Sequence, residues 1–365
     1  MAQVLKKDNH NKPNKGLLSK IFPLLLGFIP VTLAAHYLGT SPLVVFFLAA
    51  IAIIPLAKYI GEATDELAVY AGPALGGLLN ATFGNATELL IGIFALKAGL
   101  VEVVKASITG SIIGNLLLVA GTAMFIGGCR YKKQVFNKTG TLAMSSTLLL
   151  AAIALIMPAI FLITAPASGS KIIGELSIFV SVFMLIVYLA GLFFVLYTHK
   201  HLYTEEVGDY QAKWSKAKSI IILLFATMAV AWMSEILVGS IEPIVSVFGW
   251  TELFIGVIFV AIIGNAAEHT SAIVTAMKNR MDLSLQVSIG SATQIAMFVA
   301  PVLVLTSLFF RTQMNLVFNT FELVSIIVSV LIVNLVVEDG ESNWLEGLQL
   351  MMAYAIMAVV FFFHP

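Results

Sequence analysis

Charged residues are scarce in this chain. Only 11% of its 365 residues are Asp, Glu, Lys or Arg, whereas a typical soluble domain has about 25%. Basic and acidic residues number twenty each, so no strong basic field indicates a nucleic-acid partner. The single cysteine, Cys129, excludes an intrachain disulfide framework and cannot hold a metal ion by itself.

Apolar residues dominate the composition, and 59% of the chain is hydrophobic. A transmembrane helix needs about 20 apolar residues to cross the hydrocarbon core. Runs of this kind predict eleven spans, near 21–39, 42–61, 73–98, 101–127, 139–164, 172–198, 219–239, 250–277, 283–309, 317–337 and 344–363. The composition therefore predicts an all-α integral membrane protein in contact with the lipid bilayer.

The distribution of basic residues predicts the orientation of these spans. Lys and Arg concentrate in segments 1–20, 130–138, 200–218 and 278–280, which would share one side, and the opposite connections keep only Lys97, Lys171 and Arg311. We therefore expect the N-terminus in the cytoplasm and the C-terminus outside. Residues 1–20 are polar and lysine-rich, which is typical of a cytoplasmic tail and not of a cleaved signal peptide.

Two motifs at a constant spacing indicate an internal repeat. Adding 180 to Gly84, Asn85, Ala86 and Glu88 gives Gly264, Asn265, Ala266 and Glu268, and the same shift maps Gly110-Ser111 onto Gly290-Ser291. The predicted domains are a tail (1–20), an extra first helix (21–41), a five-helix repeat (42–198), a cytoplasmic linker (199–218) and a second five-helix repeat (219–365). Since each repeat holds an odd number of spans, the repeats are inverted, as in secondary transporters.

Each motif places a glutamate near the middle of its span. An ionised carboxylate there costs about 2.5–3.5 kcal/mol on insertion scales, and neither acid has a basic residue within one helical turn. Glu88 and Glu268 must therefore be protonated or bind a cation. Together they would form an all-oxygen site of the kind that Ca²⁺ prefers.

Neighbouring polar residues are candidates for supporting this site. Gly84 and Gly264 precede the acids and would weaken the helices. Asn85, Asn265, Asn115 and Gln294 offer amides, Ser111 and Ser291 offer hydroxyls, and His269 could tune proton exchange. The alternatives are that Asn85 and Asn265 bond backbone carbonyls and that the serines serve close helix packing.

Acids near the span ends carry a weaker prediction. Glu62, Glu66, Glu235 and Glu242 are either solvated helix ends or vestibule acids that concentrate cations. In the central segment 198–219, Glu205, Glu206 and Asp209 lie in a stretch that reads as a linker, with a cation-attracting patch as the alternative.

The motifs "GNATELLIGIFALKAG…SITGSIIGNLLLVAG" and "GNAAEHTSAIVTAMKN…VSIGSATQIAMFVAP" resemble the two repeats of Ca²⁺/H⁺ exchangers in the calcium/cation antiporter superfamily. The resemblance implies that the positions matching Glu88 and Glu268 bind Ca²⁺ and exchange protons. It also implies that backbone carbonyls complete the shell, with Asn115 and Gln294 near the site. In the Na⁺/Ca²⁺ branch a polar residue follows each acid by 27 positions; here those positions are Asn115 and Ile295.

The sequence thus predicts a transporter, not an enzyme. We expect an antiporter that exports Ca²⁺ in exchange for H⁺ by alternating access, needs no cofactor, and lies in a prokaryotic plasma membrane. The resemblance implies a homo-oligomer, with trimers known in the family. An exchanger driven by Na⁺ on the same fold is the nearest alternative, followed by a cation channel.

Overall fold

The computed structural model describes residues 22–165, 170–199 and 212–364. Within them the chain folds into helices and one small sheet. The helices are α1 (Phe28–Tyr37), α2 (Pro42–Phe83), α3 (Ala86–Lys97), α4 (Val101–Arg130), α5 (Lys138–Thr164), α6 (Ser170–Phe193), α7 (Lys216–Gly239), α8 (Ile241–Phe248), α9 (Glu252–Gly264), α10 (Ala266–Met277), α11 (Met281–Ser307), α12 (Thr320–Val336) and α13 (Trp344–Phe363). The strands are β1 (Gln134–Val135) and β2 (Glu341–Ser342).

Several helices are long and apolar enough to cross a membrane. Among the described residues seven qualify, or nine if each of two bent pairs counts as one span. Two shorter apolar helices, Phe22–Tyr37 and Thr320–Val336, lie where the sequence predicts two more spans. The chain is thus a helical integral membrane protein, while the count of eleven and the division into a first helix plus two repeats stay predictions.

Side-chain caps begin the helices at the loops. Asn137, Ser215 and Thr251 each accept a hydrogen bond from a backbone N–H in the first turn of α5, α7 and α9. Asn319 and Asn343 form full capping boxes with Glu322 and Glu346 at the starts of α12 and α13. These bonds satisfy backbone donors that the helices leave free at their N-termini.

Left-handed glycines join each long helix to the half-helix that follows it. Gly72 (φ 78°) breaks α2 into Pro42–Gly72 and Leu75–Phe83. Gly249 (φ 67°) ends α8, and α9 begins three residues later. Glycine adopts this conformation without the steric cost of a Cβ. The two long helices α2 and α7 pack against each other along their length.

A two-stranded antiparallel sheet is a feature that the sequence did not predict. β1 pairs with β2, with Gln134 opposite Ser342. The Gln134 side chain also donates to the Ala276 carbonyl and to the Asn279 side chain, both at 3.0 Å. The loops after α4, α10 and α12 therefore meet at one end of the bundle, on the side for which the sequence predicts the cytoplasm.

Candidate functional site

Both acidic motifs lie at helix breaks. Leu75–Phe83 meets α3 at a bend of 44°, and α9 meets α10 at 59°. Gly84 and Gly264 stand at these breaks, followed by Asn85 (φ −102°, ψ 17°) and Asn265 (φ −93°, ψ 17°) as N-cap residues. Each break therefore begins a new half-helix whose first turn contains the glutamate.

The two asparagines add side-chain hydrogen bonds at the breaks. Asn85 Nδ2 donates to the Ala81 carbonyl (3.2 Å), and Asn265 Nδ2 donates to the Ala261 carbonyl (2.8 Å). Both carbonyls lie four residues upstream, at the position of the helical backbone acceptor, and the Ala261 carbonyl also accepts the backbone N–H of Asn265 (3.1 Å). Both side chains therefore bond backbone carbonyls, and their role in lining the site stays a prediction.

Glu88 lies directly against the opposite motif. A Cβ built on Gly264 would stand 3.1 Å from Glu88 Cγ and 3.4 Å from its Oε1. Both Glu88 carboxylate oxygens, and Oε2 of Glu268, are buried with no hydrogen-bond partner among the described residues. The break at Gly264 thus faces Glu88 of the other half, and the unpartnered oxygens of both acids need a proton or a cation to compensate their burial.

Amide and hydroxyl groups connect the two halves around the acids. Asn115 Nδ2 donates to Asn265 Oδ1 (2.7 Å) and to Ser291 Oγ (3.0 Å). Asn265 Nδ2 also donates to Ser111 Oγ (2.8 Å). Both serines are therefore hydrogen-bonded across the halves as well as packed. Asn115 itself lies in a π-helical stretch, Gly114–Val119, a distortion that often occurs at functional sites.

The partner of Asn85 differs from that of Asn265. Asn85 Nδ2 donates to Gln294 Oε1 at 2.7 Å, whereas Asn265 bonds a serine. Gln294 ends the α-helical part of α11, just before the π-helical stretch Ile295–Val299. The four amides and both serines predicted for the site are thus hydrogen-bonded in two unequal groups, Asn85 with Gln294 and Asn115 with Asn265 and the two serines.

The seam between α4 and α9 is closed by glycines. A Cβ on Gly110 would overlap the carbonyl oxygen of Val257, and a Cβ on Gly256 would lie 2.5 Å from Ala106 Cβ and 2.8 Å from the Val103 carbonyl. The helix backbones therefore touch with no side chains between them, which is typical of small residues in membrane helix packing. This contact leaves no passage for an ion between α4 and α9.

The repeat-related seam, between Leu75–Phe83 and α11, is open. Gly290, the equivalent of Gly110, would meet only Met144 Cε (3.2 Å) among the described residues, and Gly76, the equivalent of Gly256, meets Ala68. A cavity of about 820 Å³ lies beside this seam, between α11 and the helices α5 and α6, and reaches Gln294. Since Gln294 bonds Asn85, the cavity on the predicted cytoplasmic side comes within one hydrogen bond of the first motif.

His269 follows Glu268 in α10 and is half-buried, with its backbone N–H donating to the Asn265 carbonyl (3.0 Å). Among the described residues no hydrogen bond or ion pair joins its ring to Glu88 or Glu268. Its predicted tuning role therefore stays a prediction that proximity in sequence alone supports.

The predicted vestibule acids have different surroundings. Glu62 pairs with Lys58 (3.4 Å) and Glu235 with Lys97 (3.3 Å), all partly exposed, and Glu242 is exposed. Glu66 is only 4% exposed, and its Oε2 accepts the backbone N–H groups of Lys213 (2.7 Å) and Trp214 (3.0 Å). It anchors the chain entering α7 and is not a solvated helix end, while a role as a vestibule acid stays a prediction. Glu205, Glu206 and Asp209 lie outside the described residues.

A further buried acid, Glu322, was not predicted from the sequence. Glu322 is 1% exposed and accepts a hydrogen bond from Thr109 Oγ1 (3.1 Å), one residue before Gly110. The signal was present, because Glu322 interrupts an apolar run. Its position three residues after Asn319 reads, however, as an ordinary helix cap.

The residue types around Glu88 and Glu268 limit which ligands a cation could find there. Among the described residues no group of three or more His, Cys, Asp or Glu side chains is arranged to hold a metal ion. A cation between Glu88 and Glu268 would have to take its other ligands from amides, hydroxyls, backbone carbonyls or water. Such a ligand set suits a hard ion that is bound and released.

Broken membrane helices with paired buried acids at their breaks define the class as a membrane transport protein. The chain belongs to the sodium/calcium exchanger protein family, whose family model matches residues 41–197 and 218–363. It is 48% identical over 365 residues to the Ca²⁺/H⁺ antiporter of Synechocystis, covering 95% of this chain and 98% of that protein.

Solved structures agree with this assignment. The structure of native YfkE is 44% identical, superposes with a TM-score of 0.82, and is matched over 94% of this chain and 99% of that one. The H⁺/Ca²⁺ exchanger CAX, 14% identical, shares the fold with a TM-score of 0.71 over 94% and 92% of the two chains. The resemblance inferred from the two motifs is therefore confirmed.

Proposed function

We propose that this protein is a secondary active antiporter of the plasma membrane that exports Ca²⁺ from the cytosol in exchange for H⁺. The relative from Synechocystis is named as a Ca²⁺/H⁺ antiporter and aligns over nearly its full length. Both motifs and both membrane halves lie within the matched ranges. The ions Ca²⁺ and H⁺ are substrates in this proposal, and no cofactor takes part.

The observation that carries the proposal is the unpartnered carboxylate of Glu88 against Gly264. A buried carboxylate without hydrogen bonds is unstable as an anion unless a proton or a cation compensates its charge. With Glu268 close by, repulsion adds to that instability. Protons and Ca²⁺ therefore compete for the same oxygens, and binding of one releases the other.

In this mechanism Glu88 and Glu268 are the Ca²⁺ ligands and the proton acceptors. Ca²⁺ takes about six to eight oxygen ligands, so the pair needs neutral oxygens as well. Asn85, Asn115, Asn265 and Gln294 hold the broken helices at the correct separation and stand next to the site, and Ser111 and Ser291 orient those amides. The breaks at Gly84 and Gly264 allow backbone carbonyls to turn toward the ion.

Access to the pair alternates between the two membrane faces. The closed seam at Gly110 and the open seam at Gly290 support an inward-facing arrangement, in which the 820 Å³ cavity admits cytosolic Ca²⁺. Because the two seams are related by the inverted repeat, closing one and opening the other exchanges the accessible face without moving the site. The basic segments support the sidedness, with the N-terminus inside and the C-terminus outside.

An exchanger driven by Na⁺ is the second candidate, since the matching family model is described as a sodium/calcium exchanger protein. The position 27 residues after Glu268 is Ile295, which is apolar and 1% exposed. Sodium sites need oxygen ligands, so this position argues against an additional sodium site in the second half.

The test is calcium flux in proteoliposomes with sodium absent. We expect an imposed pH gradient to drive radiolabelled calcium uptake by the wild type. Glu88→Gln and Glu268→Gln should each abolish that uptake, because a neutral amide can neither bind and release a proton nor balance the charge of Ca²⁺. Glu175→Gln, at an exposed ion pair with Lys171, is the matched control and should transport normally. Uptake driven by a sodium gradient alone, or full activity of either motif variant, would refute the proposal.

A further inference from the structure

Glu322 is a buried acid that has no role in the exchange cycle proposed above. It lies in the first turn of α12, where Oε2 accepts the Asn319 backbone N–H (2.9 Å) and Oε1 accepts the Thr109 hydroxyl (3.1 Å). An ionisable group inside the membrane is costly, and such groups usually have a functional role. The bond to Thr109 connects it to α4, the helix that forms the closed seam.

The capping role alone does not account for this burial. Glu346 occupies the same capping-box position at the start of α13, with Asn343 as its partner, yet it remains half-buried at the opposite end of the bundle. Glu322 makes the same cap while reaching across to a second helix at 1% exposure. The comparison separates the cap, which both acids form, from the buried contact, which Glu322 has in addition.

Charged groups connect Glu322 to the outer surface. Lys105, whose side chain is 8% exposed, pairs with Glu102 at 3.3 Å, and Glu102 is 64% exposed. Lys105 lies one helical turn before Thr109 on α4, and Thr109 bonds Glu322. Of the other helices packed on α12, α13 contributes His364, whose ring stacks on Phe321 at 5.6 Å, and the outer half of α5 (151–165) has no titratable residue. The polar connection to the surface therefore runs along α4.

Unsatisfied oxygens continue this line toward the acid pair. Ser325, 2% exposed, lies about 4.5 Å deeper than Glu322 by helical rise, and its Oγ has no partner among the described residues. On the neighbouring helix Asn115 Oδ1 is also unpartnered, and Asn115 bonds directly to Asn265 at the motif. Unpartnered buried oxygens of this kind are typical sites for a bridging water, and a bridging water would let a proton pass between side chains.

We propose that Glu322 is the proton-loading residue of the outer face: it takes protons arriving past Glu102 and Lys105 and delivers them to Glu88 and Glu268 when the outer seam opens. Thr109 adjoins Gly110, so the line of polar groups ends beside the closed contact with Val257. A proton waits on Glu322 while that contact is closed, which prevents a leak through the inward-facing protein. After each transfer Glu322 is ionised again, and no proton is lost or gained.

The inference rests on the proposed antiport and is tested by comparing two exchange modes in the same proteoliposomes. Calcium uptake driven by a pH gradient needs protons from the outer face, whereas exchange of labelled for unlabelled calcium at equal pH does not. Glu322→Gln keeps the capping box but cannot carry a proton. We expect it to slow pH-driven uptake by about 100-fold, the lower range for a positioned proton-transfer group, and to leave calcium–calcium exchange at the wild-type rate.

Two further variants and a pH profile separate proton loading from structure. Thr109→Val should reduce pH-driven uptake in the same selective way, while Glu346→Gln, the matched capping-box control, should change neither mode. The deficit in uptake rate of Glu322→Gln should shrink as the vesicle lumen, which contacts the outer face of the protein in this assay, is acidified. A higher proton concentration there replaces the proton that Glu322 would have supplied. Unimpaired pH-driven uptake in Glu322→Gln, or equal loss of both modes, would overturn the assignment. If the wild type itself shows no pH-driven uptake, the proposed antiport fails and this inference fails with it.

Discussion

The seam between α4 and α9 and the seam between Leu75–Phe83 and α11 have matching glycines at an offset of 180 residues, yet they pack in opposite ways. At the first, Gly110 and Gly256 bring two helix backbones into contact; at the second, Gly76 lies against Ala68 of α2 and Gly290 lines a cavity. A similar small-residue pattern thus supports a closed and an open arrangement within one molecule. The difference shows that matching glycines do not by themselves close a seam, and that the closed contact requires glycine because a Cβ on Gly110 would overlap the Val257 carbonyl.

The largest expected effect is on chemical accessibility. Gln286 lines the cavity, while its repeat equivalent, Ala106, is completely buried in the closed seam. On a Cys129→Ser background, which removes the exposed native thiol, Gln286→Cys should react with a membrane-impermeant maleimide from the cytoplasmic side and Ala106→Cys should not. Mass shift on a gel measures the reaction. Equal labelling at both positions would remove the distinction between the seams.

A glycine pair sharpens the comparison through stability. Gly110→Ala forces a methyl group against the Val257 carbonyl, which is backbone and cannot move aside; overpacking of this kind costs about 1–3 kcal/mol. Gly290→Ala meets only the flexible end of Met144 at 3.2 Å, and methionine adapts readily. We expect a clearly lower melting temperature for Gly110→Ala alone, measured by scanning fluorimetry in detergent. Comparable shifts in the two variants would show that the closed contact is not tight.

The smallest effect should come from the amides. Asn115→Ala removes the bridge to Asn265 and Ser291 and leaves a buried acceptor with less support, a loss of about 1–3 kcal/mol. Gln294→Ala removes one partly buried bond to Asn85, which is a loss of about 0.5–1.5 kcal/mol. Thermal unfolding should rank the variants in that order. A larger loss of stability in Gln294→Ala would contradict this ranking and would show that the Asn85–Gln294 bond contributes more than the bonds of Asn115.

The sequence predicted the parts of this site that repeat. Gly84 and Gly264 share one local pattern, so the breaks, the N-cap asparagines and the acids follow from the motif itself. The choice of partners did not follow. Asn85 bonds Gln294 while Asn265 bonds Ser111, because the positions that supply the partners differ between the halves: Gln294 corresponds to Gly114, and Asn115 corresponds to Ile295.

Tertiary contacts also account for what the sequence misjudged in the fold. Glu66 resembles other acids at span ends, and only the packing of the chain before α7 buries it. Strands β1 and β2 are two residues each, too short to leave an alternating pattern, and they form because distant loops meet. Glu322 was missed for a similar reason: its local sequence predicts the helix cap but does not predict the hydrogen bond to Thr109 on a distant helix.

The left-handed glycines that precede the two acidic half-helices have a mechanical consequence. At Gly72 the long helix passes into Leu75–Phe83 with no loop between them, and at Gly249 only two residues intervene before α9. Connections this short allow little independent movement, so a tilt of α2, or of α7 together with α8, displaces the half-helix that follows. Since α2 and α7 pack against each other, displacing one also strains the other. The half-helices that lead to the two acidic motifs are therefore mechanically coupled.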